Sequence, residues 1–207
     1  GSSYLGNVQW YAAMLDSKYL KCIVPKAIGD NMHESPHYRG GTFAMGLNVT
    51  WSFWAGEGRT WQNIERYNWP QLFQHLPVND IAEVAGKEVK HLEDWIAHTE
   101  YDEYWKSLSV KERYEDIKVP VMQVSGWYDL FTGGTLNNFV EMKKRGGSHL
   151  ARRNQKVVIG PWTHSLSKLT HAGDGDFGMD SIIDILGMEL KWYDLWLKGI
   201  DNGFDRE

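Results

Sequence analysis

Two short apolar runs in the second half of the chain each stop at a glycine and then release one titratable residue. No other sequence feature restricts the fold as much. Val119-Pro120-Val121-Met122-Gln123-Val124-Ser125-Gly126 leads into Trp127-Tyr128-Asp129, and Lys156-Val157-Val158-Ile159-Gly160 leads into Pro161-Trp162-Thr163-His164. Runs of this length, rich in β-branched residues and without polar alternation, read as strands buried in a parallel sheet. The interval between them fits one strand–helix–strand unit, with the helix over residues 135 to 144. In open α/β sheets reactive groups collect outside the carboxyl ends of the strands, so Asp129 and His164 are expected side by side.

A third element completes the pattern. Gly1-Ser2-Ser3-Tyr4-Leu5-Gly6 precedes a helix-compatible stretch expected to end near Ser17, and residues 19 to 25 are expected to form the next strand. A small Gly1 allows a sharp strand-to-helix turn that leaves the Ser3 hydroxyl exposed. Gly-x-Ser alone is a weak motif, and Gly-Ser-Ser is also a common cloning scar. The order Ser, Asp, His, each after a strand, is the triad order of an α/β-hydrolase. The expected fold class is therefore α/β: an α/β-hydrolase core with a short parallel sheet and flanking helices.

The interval from Ser3 to Asp129 is too long for simple alternation of helix and strand, so something is inserted there. Between residues 31 and 115, Pro, Gly and Trp punctuate helical patches such as 61 to 66 and 92 to 97, without long alternating strands. We read 31–115 as a helical cap and 1–30 with 116–207 as the core. The chain has 11 tryptophans. Six lie in the cap (Trp51, Trp54, Trp61, Trp69, Trp95 and Trp105), where packing within the cap is favoured over the walls of an apolar pocket. Trp127 and Trp162 adjoin the proposed catalytic loops and are the candidate pocket residues.

The same residues carry a family resemblance. Gly1-Ser2-Ser3-Tyr4-Leu5-Gly6, Gly126-Trp127-Tyr128-Asp129 and Gly160-Pro161-Trp162-Thr163-His164 resemble the signature blocks of the CocE/NonD hydrolases, the cocaine-esterase and X-prolyl dipeptidyl-peptidase family. His98-Thr99-Glu100-Tyr101-Asp102-Glu103-Tyr104-Trp105 resembles a further block, with Thr99 in place of a proline, and residues 189 to 199 resemble the closing helix. Leu5 stands where the general elbow has its second glycine, and Gly6 follows, which is the family's own variant. Members of the family have strands before the serine and a jelly-roll after the core. The resemblance thus implies an internal piece of a longer enzyme, poorly active alone, with a bare sheet edge at residues 20 to 24.

The resemblance and loop placement together imply a serine hydrolase acting on small esters or amides. Ser3 is the expected nucleophile, His164 the general base and Asp129 its partner, and the Tyr4 N–H is one oxyanion donor. In relatives the second donor is a tyrosine hydroxyl upstream of the elbow. Alternatives are an X-Pro dipeptidyl-peptidase or α-amino-acid ester hydrolase, with Glu93, Asp94, Glu100 or Asp102 holding a substrate amine. A non-catalytic module binding aromatic or carbohydrate ligands is the alternative from another class.

Composition narrows the partners. Lys+Arg 22 against Asp+Glu 27 gives a net charge of −5, with no basic run to track phosphates, so nucleic acid is not expected. No apolar run approaches the roughly 20 residues that span a bilayer, so no membrane partner is expected either. Cys22 is the only cysteine, which excludes an intrachain disulfide and reads as a buried thiol. The expected partner is a small ester, amide or short peptide, with a homodimer of the longer protein left open. No cofactor and no metal is called for. His33-Glu34-Ser35-Pro36-His37 spells H-E-x-x-H, but Pro36 interrupts the helix that zinc binding needs. Asp176-Phe177-Gly178 and the glycosylation-like Asn48-Val49-Thr50 have no supporting context.

Overall fold

The computed structural model describes residues 1–55 and 64–206. In chain order the helices are α1 Tyr4–Met14, α2 Met45–Ala55, α3 Trp69–Leu72, α4 Ile81–Val84, α5 Lys90–Ala97, α6 Glu103–Ser107, α7 Thr132–Arg145, α8 His149–Arg153 and α9 Ile185–Lys198. The strands are β1 Tyr38–Arg39, β2 Thr42–Phe43, β3 Val121–Gly126, β4 Gln155–Gly160, β5 His171–Ala172 and β6 Gly175–Asp176. The chain divides into two compact units, Gly1–Asn31 with Ser109–Glu207, and Met32–Leu108.

The first unit is an α/β layer. Parallel β3 and β4 pair in register from Val121 with Gln155 to Gly126 with Gly160. Every residue of β3 is buried, the polar Gln123 and Ser125 included, and the crossover between the strands is α7 and α8. α7 packs where Gly134 leaves room, because a Cβ there would meet the backbone of Gly29 and Asp30. The Thr135 hydroxyl donates to Ile28 O at 2.9 Å. α9 starts four residues later than its expected position near Ser181, with the Asp184 carboxylate capping Gly187 N at 2.8 Å. Its Trp192 joins Cys22, Val24, Met122 and Phe204 in one apolar cluster. Burial pushes the Cys22 thiol up to about 11, so it is an inert packing group.

Two expectations about the start of the chain need correction. α1 ends at Met14 rather than near Ser17. Residues 19 to 25 do not form a regular strand either; the segment pairs with β3 through an isolated parallel bridge, Ile23 with Val121, and the next bridge, Lys26 with Val124, lies just beyond it. The reason lies in the sequence. Ile23 N donates to Pro120 O and Ala27 N to Val124 O, and in a parallel ladder the donor between them is residue 25, a proline with no N–H. The ladder is further bent at Ala27, which adopts φ 47.

The edge expected to be bare at residues 20 to 24 is occupied at Val24. Val24 N donates to the Gln9 amide oxygen at 2.9 Å, and Val24 O takes the Gln9 amide N–H at 3.2 Å. Cys22, Ile23 and Val24 are buried. A side-chain amide on α1 thus stands in for a neighbouring strand at this point.

The second unit is built from short helices around an aromatic core of Tyr38, Phe53, Trp95 and Trp105, with Trp51 and Trp69 packed against it. Of the helical patch expected at 61 to 66, residues 61–63, Trp61 included, lie outside the described residues, and 64–66 form a turn rather than a helix. Residues 109–115, read from the sequence as cap, cluster with the first unit, where the buried Tyr114 hydroxyl donates to Asn138 Oδ1 at 2.9 Å.

The H-E-x-x-H segment lies in this unit as an irregular turn, broken by the extended Ser35 (φ −148, ψ 102). His33 Nε2 bonds to Thr99 O at 2.8 Å and His37 Nδ1 to Asn48 Oδ1 at 2.7 Å. The His37 ring lies 4.0 Å from Trp95 and 5.1 Å from Trp105, centroid to centroid. Burial lowers the His37 pKa to about 4; the Asn48 bond opposes this, and His33 and His91 add to it. The unfolded chain therefore takes up a proton at about pH 6.5 that the folded unit refuses until about pH 4. The stabilisation is complete above pH 6.5 and falls as the pH drops towards 4, by about 3 kcal/mol in all. Denaturant unfolding followed by tryptophan fluorescence at pH 7.5 and 4.5 checks this. The acid loss should shrink clearly in His37→Gln, and an equal loss in parent and variant would show that another group is responsible.

Candidate active site

Ser3 caps the start of α1 in a conformation that few non-glycine residues adopt, φ 57 and ψ −131. Such a backbone costs about 1–3 kcal/mol and persists only where surrounding bonds impose it. Those bonds are present. Ser3 N donates to Lys26 O and Lys26 N to Gly1 O, each at 2.9 Å, while Ser3 O accepts from Gly6 N at 2.7 Å and Asn7 N at 3.1 Å. Lys26 is fixed in turn by an ion pair between its ammonium and Glu189 on α9.

Two glycines make the turn possible. A Cβ on Gly1 would stand 2.7 Å from Leu5 O, and one on Gly6 would stand 2.9 Å from Lys26 O. Leu5, in contrast, is 63% exposed. The elbow therefore needs no glycine two places after the serine and needs one three places after, where α1 crosses Lys26. Tyr4 follows Ser3 as the first residue of α1, so its N–H heads the helix, where the dipole favours negative charge.

Asp129 and His164 leave the carboxyl ends of adjacent β3 and β4. His164 Nδ1 lies 3.0 Å from Asp129 Oδ2, and the other carboxylate oxygen, Oδ1, accepts from Phe131 N at 2.9 Å. The Asp129 side chain is fully buried whereas that of His164 is 42% exposed. A buried anion on one ring nitrogen and an accessible second nitrogen is the arrangement a general base requires.

The two loops are sewn together by their backbones. Trp127 N donates to Gly160 O at 2.9 Å, and Tyr128 N to Trp162 O at 3.0 Å. Gly126 is obligatory here, because a Cβ would collide with Trp162 O. The Phe131 ring lies 5.5 Å from the His164 ring. Nothing in the sequence reading singled out Phe131, although an aspartate whose carboxylate takes the N–H two residues on is a recognisable Asx turn.

The candidate pocket residues separate. Trp162 is 2% exposed, packs on Gly160, and donates its indole N–H to Ser181 O at 2.6 Å. Its reading as a pocket wall is corrected: it is a buried brace beneath the histidine loop. Trp127 is 63% exposed.

Other motif residues have structural partners. Within the His98–Trp105 block, Asp102 caps α6 and accepts from His98 Nδ1 at 2.6 Å, while the Trp105 indole donates to His98 O at 2.6 Å. The His98 bond is the main reason that the Asp102 carboxyl is held below its ordinary range. Asp94 pairs with Lys90 at 2.5 Å. Asn48 is buried against His37 and so is closed to glycosylation in the folded unit. Asp176 and Gly178 form a turn, with Gly178 N donating to Asp176 Oδ1 at 3.0 Å. Among the described residues no group of three or more His, Cys, Asp or Glu is placed to hold a metal, and no helix is long and apolar enough to cross a membrane.

The sequence matches the family model of the X-Pro dipeptidyl-peptidases (S15 family) over residues 1–166, a span that contains Ser3, Asp129 and His164. The chain belongs to the S15 family. Cocaine esterase of Rhodococcus sp. (strain MB1 Bresler) is 30% identical to this S15 chain over 96% of its residues and 37% of the esterase.

Solved structures agree in fold. An aminopeptidase from a marine sediment Thaumarchaeota archaeon superposes with a TM-score of 0.75 at 16% identity, over 97% of this chain and 35% of that one. An α-amino acid ester hydrolase gives 0.67 at 22%, over 98% and 34%. A CocE/NonD family hydrolase from Staphylococcus aureus gives 0.60 at 16%, over 100% and 30%. The chain thus spans about a third of the length of these relatives. The CocE/NonD resemblance and the α/β-hydrolase class read from the sequence both hold.

Proposed function

We propose that this S15-family protein hydrolyses small esters or amides through an acyl-enzyme, with Ser3, His164 and Asp129 as the triad. The observation that carries the reading is the 3.0 Å contact between His164 Nδ1 and the buried Asp129 carboxylate. With Nδ1 so engaged, Nε2 is the nitrogen available to take a proton from the Ser3 hydroxyl as that oxygen attacks the substrate carbonyl. The same nitrogen then returns the proton to the leaving alcohol or amine, and water repeats the sequence to release the acid. Asp129 holds the tautomer and stabilises the imidazolium. The Tyr4 N–H, at the head of α1, supports the tetrahedral oxyanion. Exposed Trp127 lines the acid-loop side for apolar substrate groups.

A second reading, removal of X-Pro dipeptides, is favoured by the family's description and keeps the same chemistry. It requires an anion for the substrate's free amine. Of the four acidic candidates, Glu93 and Asp94 already pair with Lys90, and Asp102 with His98. The identity to a protein named an esterase favours the ester reading. A panel of p-nitrophenyl esters, amino-acid esters and Gly-Pro-anilide, with fluorophosphonate labelling of Ser3 read by peptide mass, tests both. We expect labelling and preferential turnover of the simple esters. Preference for the anilide would establish the peptidase, and absence of labelling would leave a binding module.

A further inference from the structure

The aim of the Asp129 carboxylate depends on the turn from Gly126 to Thr132, and one side chain spans that turn. The Thr132 hydroxyl lies 2.9 Å from Asp129 O and bonds Gly126 O as well. Gly126 O also receives Asp129 N at 2.9 Å, and Asp129 O also receives Thr132 N at 3.2 Å. The residue that bears the carboxylate is therefore held through its own N–H and its own carbonyl, and the Thr132 hydroxyl reaches both that carbonyl and the Gly126 carbonyl to which the Asp129 N–H is bonded. Beneath it the wholly buried Ser125 places its Oγ 3.5 Å from Thr132 Oγ1. A hydroxyl has one proton and two lone pairs. Thr132 spends its proton on the two carbonyls and can accept from Ser125, giving a chain that starts in β3 and ends in the acid turn.

The ordinary role of threonine at such a place is to cap the following helix, and that role is absent here. Thr132 is the first residue of α7, whose N-cap residue, Phe131, makes no side-chain cap bond. The Thr132 hydroxyl faces back into the turn instead of forward to the helix N–H groups.

We propose that Thr132, backed by Ser125, is a positioning residue of the acid turn whose buried hydroxyl sets the angle at which Asp129 Oδ2 meets His164 Nδ1. This rests on the triad reading above. Thr132 touches neither substrate nor reacting atoms and acts only through Asp129.

The test compares Thr132→Val, which keeps the shape and removes the hydroxyl, with Thr132→Ser, which keeps the hydroxyl. For each, kcat and KM are measured on an activated ester alongside thermal unfolding and the far-downfield proton resonance of the His164 Nδ1–H. Thr132→Val should lower kcat about ten- to a hundredfold, the scale of a small misplacement at a catalytic group, with KM little changed and the resonance broadened or lost. Thr132→Ser should restore most of kcat and the resonance. A folded Thr132→Val with parental kcat and an intact resonance would overturn the proposal. If that variant does not fold, Ser125→Ala decides: a reduced kcat with a perturbed resonance supports the hydroxyl chain, and parental values for both overturn it. Ser3→Ala separates the two levels. Turnover surviving in Ser3→Ala removes the triad reading and this proposal with it, whereas a dead Ser3→Ala beside a fully active Thr132→Val removes only the positioning role.

Discussion

Replacing Ser3 by alanine is expected to reduce ester turnover about a million-fold, because a triad that loses its nucleophile keeps only binding and oxyanion stabilisation. His164→Ala should fall to nearly the same level, and the double variant no further, since the two side chains act as one unit. The fold should survive. Ser3 Oγ is not what holds the elbow; the turn is imposed by backbone bonds to Lys26 and by the two glycines. Removing strain at φ 57 is not achieved by alanine either, so the melting temperature should change little. Single-turnover kinetics with a p-nitrophenyl ester provide the measurement. A burst of nitrophenol from Ser3→Ala equal to that of the parent would remove Ser3 as nucleophile.

Asp129→Asn should cost about ten-thousandfold in kcat, and the geometry supplies the direction. The Phe131 N–H points at Oδ1 from 2.9 Å and can bond only an oxygen. In the variant the amide oxygen is therefore held on that side, and the amide NH₂ faces His164 Nδ1. Two donors cannot share that contact, so the ring moves its proton to Nε2, the atom that must accept from serine. The substitution thus disables the base by tautomer while leaving the packing unchanged. Activity and the histidine ¹⁵N shifts, recorded together, check the account. Normal shifts with lost activity would point to a role for the aspartate's charge alone.

What the sequence conveyed and what it withheld have physical explanations. β3 was legible because a strand buried on both faces has little freedom in composition, β4 was legible from its β-branched run although it is only half-buried before Gly160, and the glycines that end them are demanded by contacts with Trp162. Of the candidate site, the partnership of Asp129 with His164 follows from two adjacent parallel strands of equal length. The segment at 19 to 25 misled because its apolar pattern is strand-like while Pro25 removes the ladder's next donor, a long-range consequence that pattern alone does not display. The occupation of the Val24 edge by Gln9 was not legible, since an exposed polar residue on a helix normally signals nothing. Trp162 was misplaced for a related reason. Adjacency in sequence to a catalytic loop does not tell which way a ring turns, and here the indole N–H finds Ser181 O inside the protein. Thr132 and Phe131 contribute through single polar contacts that carry no compositional signature.

The stitching of the acid loop has an implication for variation. Trp127 and Tyr128 hold that loop to its neighbour through their N–H groups, and both side chains stand largely in solvent, with the Tyr128 ring 5.6 Å from that of Phe177. Any residue other than proline supplies the same two donors. The side chain at 127 can therefore be exchanged while the aspartate two places on keeps its aim, so variation of the exposed surface and constancy of the acid loop are carried by one residue, the first by its side chain and the second by its backbone.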